Sequence, residues 1–452
     1  MTKTATIIGA GLVGSLWAVY LSKAGYQVRL FERRPDIRKA EISAGKSINL
    51  ALSTRGWKAL DSVGVGDEIR KIAIPMYGRI VHDEQGETNF QPYGQKDQAI
   101  YSVSRGDINT KMITIAETHG DTTISYNERC YDADLEQGIV FLESTITGEK
   151  TTHQSDVVFA TDGAFSAVRY YAMQKLNRFD YSQDYIDDGY REILLPANED
   201  DSWKLDKNAL HIWARGRFML IALANEDGSL TCTLFMPFEG EKNSFEQLKT
   251  RDQVDEFFKT TFPDFYQMMP NIADAWEDHP LSALALIRCF PWTHGKVALM
   301  GDAAHATVPF YGQGMNCGFE DCTVMWGLMQ EHGDDWKTIF SKYQTQRKPD
   351  GDAMQDLSLH NYWVMRDAVN QPGFLLQKKL ESRIQQLYPD QYLPLYSMVS
   401  FSHIRYSEAL RKGNAQNEKM KSILAQHDVE GLFKNGTIDK LIHQLFGEKI
   451  QA

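Results

Sequence analysis

The sequence predicts an α/β protein. A Rossmann-like nucleotide-binding domain carries an inserted β-sheet domain and is followed by a C-terminal helical region. Three observations predict this. The chain opens on a strand–turn–helix–strand unit whose turn reads Gly-x-Gly-x-x-Gly. Two later apolar runs, "DVVFATDG" ending at Gly163 and "KVALMGD" ending at Asp302, read as buried parallel strands that stop at a ligand-facing edge. Between them, "ALHIWARGRFMLIALANEDGSLTCTLFMPF" breaks at Arg-Gly and Asp-Gly into short β-rich runs, the pattern of an antiparallel sheet with two hairpins.

In chain order, the first unit is a strand over Thr4–Ile8, a helix from about Val13 to Lys23, and a strand over Gln27–Phe31. A shorter β-rich stretch, "MYGRIVHDEQGETNFQPYG", covers 76–94. The nucleotide-binding domain is therefore expected in pieces, 1–75, 95–175 and 280–335, with the β-rich domain at 76–94 and 176–279. From about Trp336 the pattern turns helical, giving a region over 336–452. It includes a long helix from about Asp352 to Gln386, and its polar end reads as a loosely docked tail.

Composition narrows the function. The chain has 452 residues, 42% hydrophobic and 24% charged, enough for two or three domains with a sizeable core. A net charge of −12 with no Lys/Arg block argues against a nucleic-acid partner. No apolar run approaches the ~20 residues of a membrane span, and the start lacks the pattern of a signal peptide. Five scattered cysteines, Cys130, Cys232, Cys289, Cys317 and Cys322, include no Cys-x-x-Cys pair. They predict reduced thiols in the cytoplasm, with neither a disulfide framework nor a metal site.

In "IIGAGLVG", Gly9 permits the tight turn, Gly11 lets the backbone approach a pyrophosphate, and Gly14 lets helix and strand pack closely. The helix N-terminus faces the phosphates with its partial positive charge. Glu32 ends the second strand, where an acid binds a ribose diol. The fingerprint leaves FAD and a nicotinamide nucleotide open. Two later motifs decide: "TDGAFSAVR" (161–169) and "GDAAHATVPFYGQGMN" (301–316). Asp302, at a strand end, is placed to accept from two vicinal hydroxyls. Gly312 and Gly314 leave bare backbone for a flat ring. A helix starting near Gly314 turns N–H donors toward that ring.

In this order the three motifs resemble those of the flavin-dependent aromatic hydroxylases, the family typified by para-hydroxybenzoate hydroxylase. The resemblance implies tightly bound FAD. Asp302 holds the ribityl chain, and Pro309 to Asn316 wrap the ring, with backbone N–H groups of Met315 and Asn316 at its pyrimidine edge. Arg105 stands at a helix start near the flavin, and Cys130 at a backbone contact to adenine. Asp162 and Arg169 match positions linked to flavin and NADPH contacts; a surface salt bridge is the other reading of Arg169. His305 is read as structural. No second fingerprint follows a strand, so NADPH is expected as a transient reductant.

Six further segments are similar to the kynurenine 3-monooxygenase family: "GKSINLALSTRG", "YGRIVH", "QPYG", "NALHIW", "HNYWVMRD" and "PLYSMVSF". That resemblance implies hydroxylation of L-kynurenine to 3-hydroxykynurenine, with O2 activated on reduced FAD. Arg79, Tyr93, Asn361 and Tyr396 then bind the amino-acid end of the substrate. Arg suits a carboxylate, Tyr adds donors, and Asn offers both a donor and an acceptor. Taken singly, Arg79 is a solvated strand face, Tyr93 a loop aromatic, Asn361 a helix-surface amide and Tyr396 a core ring. No general base is legible. Lys46 stands where relatives commonly have arginine, which removes a planar fork from a flavin contact. The amphipathic end lacks the apolar anchor of eukaryotic members, so a soluble, bacterial-type monomer or homodimer is expected. The alternatives are a hydroxylase of a phenolic acid, such as a hydroxybenzoate or salicylate, and a non-catalytic flavin-fold binding protein.

Overall fold

In the computed structural model, which describes residues 2–39, 49–368 and 371–447, the chain opens on strand Lys3–Ile8, helix Leu12–Lys23 and strand Tyr26–Glu32. These strands lie at the centre of a six-stranded sheet. Its order is Thr293–His294, Val297–Leu299, Val157–Ala160, Lys3–Ile8, Tyr26–Glu32, Thr122–Tyr126. Apart from the 293–299 hairpin, every pairing is parallel. Val157–Ala160 and Val297–Leu299 are wholly buried, as continuous apolar runs require when both faces of a sheet are covered. Helix Leu12–Lys23 buries Leu16, Trp17, Ala18, Val19, Tyr20 and Leu21. It is apolar nearly all round because it packs between the sheet and helices Arg105–Thr118 and Gly314–His332.

A seven-stranded sheet forms the second layer. Its order is Ser282–Phe290, Asp180–Leu195, Leu230–Pro237, Met219–Ala224, Ala209–Ala214, Gly78–His82, Thr88–Pro92. The 209–237 runs form the expected two hairpins, and Gly78–His82 and Thr88–Pro92 a third. Gly78–His82 joins Ala209–Ala214 in parallel. Ser282–Phe290, assigned from sequence to the nucleotide-binding segments, pairs along Asp180–Leu195 in this sheet. The two faces bury different partners. Ile193, Trp213, Leu220 and Ala222 pack on Phe257, Phe258, Phe262 and Phe265 of the adjoining helices. Ile212, Met219 and Phe235 point the other way, toward Phe310, Tyr362 and Met365. A three-stranded sheet of Glu128–Asp134, Ile139–Ser144 and Lys150–Gln154 has no counterpart in the sequence reading.

The helical region departs from expectation. Helix Trp336–Trp363 includes Pro349 and passes into one π-helical turn, Val364–Ala368. A separate helix, Pro372–Leu387, follows. Pro372 lacks an N–H and clashes inside a helix, but fits its first turn, so the stretch read as one helix over 352–386 is divided there. The C-terminal end is docked rather than loose. Met420, Ile423, Val429, Leu441 and Ile442 share a small core with Leu380 and Ile384. Among the described residues, no helix is long and apolar enough to cross a membrane.

Candidate functional site

A cavity of about 1780 Å³ runs between the two large sheets. A site for one drug-sized ligand takes roughly 300–1,000 Å³, so there is room for a dinucleotide and a second molecule. Gly9, Gly11, Glu32, Arg105, Cys130 and Asp162 line one end. Asp302, Pro309, Gly312, Gly314 and Met315 line the middle. Arg79, Tyr93, Asn361 and Tyr396 line the other end. Gly14 and Asn316 stand behind the wall.

The three fingerprint glycines are glycine for different reasons. Gly9 has φ +99°, a left-handed conformation that disfavours a side chain. A Cβ on Gly14 would stand 2.1 Å from the Gly9 carbonyl oxygen and 2.4 Å from Thr161 Oγ1. Gly11 has φ −74°, and a Cβ there would meet no protein atom within 4 Å. No described residue requires glycine at 11, and its bare backbone leaves room for a ligand. Glu32 is buried and accepts from Ala10 N at 2.9 Å and from Arg34 Nε at 2.8 Å. Burial alone would raise its pKa, but the Arg34 guanidinium and these N–H donors hold it below the usual carboxylate value. Cys130 is buried, and desolvation pushes its thiol up to about 12, so the thiol is neutral. Arg105, exposed at the start of its helix, stands at the cavity rim.

Asp162 Oδ2 accepts from Ala167 N at 2.7 Å, while its buried Oδ1 has no partner among the described residues, and burial raises its pKa. Asp302 begins the short helix Asp302–His305 and receives no hydrogen bond from any described residue. A 3₁₀ turn over Pro309–Tyr311 ends at Gly312, φ +65°. Helix Gly314–His332 begins two residues later, and its first main-chain bond runs from Cys317 N to Gln313 O, 2.8 Å. The N–H groups of residues 314–316 therefore lack main-chain acceptors. The Asn316 side chain is committed elsewhere: Nδ2 donates to Ala51 O and Gly312 O, and Oδ1 accepts from Ser53 N. Its side chain shapes the cradle. Lys46 lies outside the described residues.

These features fit FAD. Bare backbone lies over Gly11 and Gly314, two acids have unpartnered oxygens, and helix N–H donors are unfilled. Behind the cradle, His305 Nε2 meets Asp321 Oδ2 at 2.7 Å, and Arg347 Nε donates to Asp321 Oδ1 at 2.8 Å. Burial opposes charge on both members, yet the imidazole is held above its ordinary pKa and Asp321 down at about 2. His305 is thus a buried, hydrogen-bonded member of this network. Arg169 is no surface ion pair: it is buried and donates to Ala303 O at 2.7 Å and Ala164 O at 2.5 Å, joining the two aspartate turns.

At the far end, Arg79 sits directly across from Gln91 in the strand pair and donates from Nε to Gln91 Oε1 at 2.9 Å. Its two Nη groups have no hydrogen-bond partner among the described residues. Tyr93 stacks on Tyr396 with ring centroids 5.0 Å apart, and Tyr396 stacks on Tyr311 at 5.5 Å. Burial pushes the Tyr396 hydroxyl up to about 12 and raises Tyr93 and Tyr311 as well, so all three remain donors at neutral pH. Asn361 Nδ2 donates to Phe310 O at 2.6 Å, which ties its helix to the cradle turn. Tyr311 and Gln91 escaped the sequence reading. Tyr311 lies inside the 301–316 motif, but its stacking partner, Tyr396, is distant in the chain. Gln91 had a signal, its place opposite Arg79 in a hairpin.

Comparison with known proteins agrees with this geometry. A family model described as an FAD binding domain matches residues 1–358. The kynurenine 3-monooxygenase of Flavobacterium johnsoniae is 49% identical over 440 residues, covering 97% of this chain and 98% of that protein. That of Dictyostelium discoideum is 39% identical, covering 95% and 94%. Among solved structures, 2-methyl-3-hydroxypyridine-5-carboxylic acid oxygenase superposes with a TM-score of 0.67 at 20% identity, over 83% of this chain and 95% of that one. The p-nitrophenol 4-monooxygenase of Pseudomonas putida gives 0.66 at 16% identity, over 93% and 98%. These two share the fold. By sequence, the chain belongs to the kynurenine 3-monooxygenase family of FAD-dependent monooxygenases.

Proposed function

We propose that the protein hydroxylates L-kynurenine to 3-hydroxykynurenine, with NADPH as reductant and O2 as oxidant. This places it in tryptophan degradation, on the route to quinolinate and NAD. One observation carries the reading. Arg79, Tyr93, Asn361 and Tyr396 come from separate segments, yet line one end of a cavity whose middle is the flavin cradle. When bound, FAD supplies the two-electron redox chemistry and the activation of O2. Gly11, Glu32, Asp162, Asp302 and the N–H groups of 314–316 are the residues suited to hold it.

The chain's own part is to bind, orient and exclude water. Gln91 fixes Arg79 so that its free Nη pair meets the substrate carboxylate in a two-point contact. The Tyr93 and Tyr396 hydroxyls add donors, and Asn361 has an amide oxygen free of the bond its nitrogen makes. Ile212, Ile221, Leu223, Phe235, Phe310 and Met365 give the ring an apolar wall that keeps water from the reacting carbon. No side chain is assigned as a base. We further propose a discontinuous FAD-binding unit around the parallel sheet, with the seven-stranded sheet as its substrate side. Five buried free cysteines support a cytoplasmic protein, and we take it to be a monomer or homodimer.

The test is NADPH consumption and product analysis with L-kynurenine, a hydroxybenzoate and salicylate in parallel. The reading expects 3-hydroxykynurenine in near-equal amount to NADPH consumed. Turnover of a phenolic acid in preference to kynurenine defeats it.

A further inference from the structure

Helix Thr54–Ser62 contributes nothing to the cavity wall, yet its Arg55 joins the elements at both sides of it. The Arg55 side chain is fully buried. Nε donates to Val399 O at 3.0 Å, Nη2 to Met398 O at 3.4 Å and also to Ile404 O. Nη1 donates to Glu320 Oε1 at 2.5 Å. The guanidinium lies over the Tyr406 ring, 4.1 Å from its centroid.

The partners divide into two groups. Met398 and Val399 belong to the short helix Leu395–Ser400, which carries Tyr396. Its last carbonyls have no intrahelical donors, and a planar guanidinium can serve several at once. Glu320 belongs to helix Gly314–His332, whose first turn faces the cavity. Arg347 Nη1 takes the other Glu320 oxygen at 2.6 Å, so Glu320 is fixed from both sides. The Tyr406 hydroxyl donates to Gln313 Oε1 at 2.9 Å, on the capping residue of that same helix. One buried cation thus bonds the Tyr396 segment to the helix of the cofactor cradle.

We propose that Arg55 is a positioning residue: it sets the Tyr396 hydroxyl relative to the cradle and so governs substrate affinity without touching substrate. This rests on the reading of Tyr396 as a kynurenine contact. The test is titration of L-kynurenine into FAD-loaded wild type, Arg55→Lys, Tyr396→Phe and the double variant, with FAD content measured in each. Lysine keeps the charge and loses the fork. Arg55→Lys is expected to keep its FAD and to weaken kynurenine binding by about tenfold, while the double variant binds within about twofold of the weaker single one, because both changes act on one contact. If Tyr396→Phe alone leaves the affinity unchanged, the substrate-site reading fails, and this inference with it. If Tyr396→Phe weakens binding but Arg55→Lys does not, or if the two factors multiply, the inference is overturned while that reading stands. Parallel loss of flavin and kynurenine in Arg55→Lys also overturns it. Should Arg55→Lys not fold, Glu320→Gln removes the anchor but leaves the carbonyl partners, and the same outcomes decide.

Discussion

The two ends of the cavity are built from different materials. The cofactor end is mostly main chain: bare glycines, helix N–H groups and a few acids. The end we propose for the substrate is side chains, Arg79, Tyr93, Asn361 and Tyr396, converging from distant segments. Backbone tolerates no addition, because an added methyl meets fixed atoms or fills ligand space. Side chains can be replaced without disturbing the fold around them. The two ends should therefore fail in different ways.

The largest effect is expected at Gly14. The Gly14→Ala Cβ would meet Gly9 O at 2.1 Å, which only a backbone shift relieves. Loss of at least about 3 kcal/mol of stability, with loss of FAD, is expected in a denaturant melt. Asp302→Ala removes an acid whose side chain has no hydrogen-bond partner among the described residues. The apoprotein should melt normally, while FAD affinity, read by titration into apoprotein, falls on the order of a hundredfold through lost charge-assisted hydrogen bonds. Gly11→Ala sharpens the contrast with Gly14. Its methyl meets no atom of the described residues, so the apoprotein melt is expected unchanged while FAD affinity drops by at least about tenfold.

The smallest effect lies on the opposite face of the seven-stranded sheet from Arg79. There His211 Nδ1 faces His82 Nε2 at 2.9 Å, and burial holds the His211 imidazole down to about 4. The folded state refuses a proton that the unfolded chain accepts below its ordinary value of 6.5. The His211 contribution is complete above pH 6.5 and is lost as pH falls toward 4. The midpoint of thermal unfolding should drop by a few degrees over that window, and His211→Asn should flatten the slope.

The same contrast explains what was legible. Gly9, Gly11, Gly14 and Glu32 are readable because a phosphate-binding turn is contiguous in sequence. Asp302 and Gly312 are readable for the same reason. Arg79 and Tyr396 needed family resemblance, since nothing in a strand arginine or a helix tyrosine announces a pocket. Arg55 was missed because its partners lie hundreds of residues away in the chain, and Tyr311 because its ring partner is Tyr396 on another helix. Strand Asp180–Leu195 was missed because "DYSQDYIDDGYREILL" carries six charged residues before its apolar end, and no residue of its first half is buried. A register shift between Tyr185 and Gly189 breaks the alternation further.

The most direct test of this division is titration of L-kynurenine into Arg79→Ala holoprotein. The variant should purify yellow, with one FAD per chain, and bind kynurenine on the order of a hundredfold more weakly than wild type, as loss of a two-point ionic contact implies. Unchanged kynurenine affinity, or flavin lost together with the substrate, would contradict it.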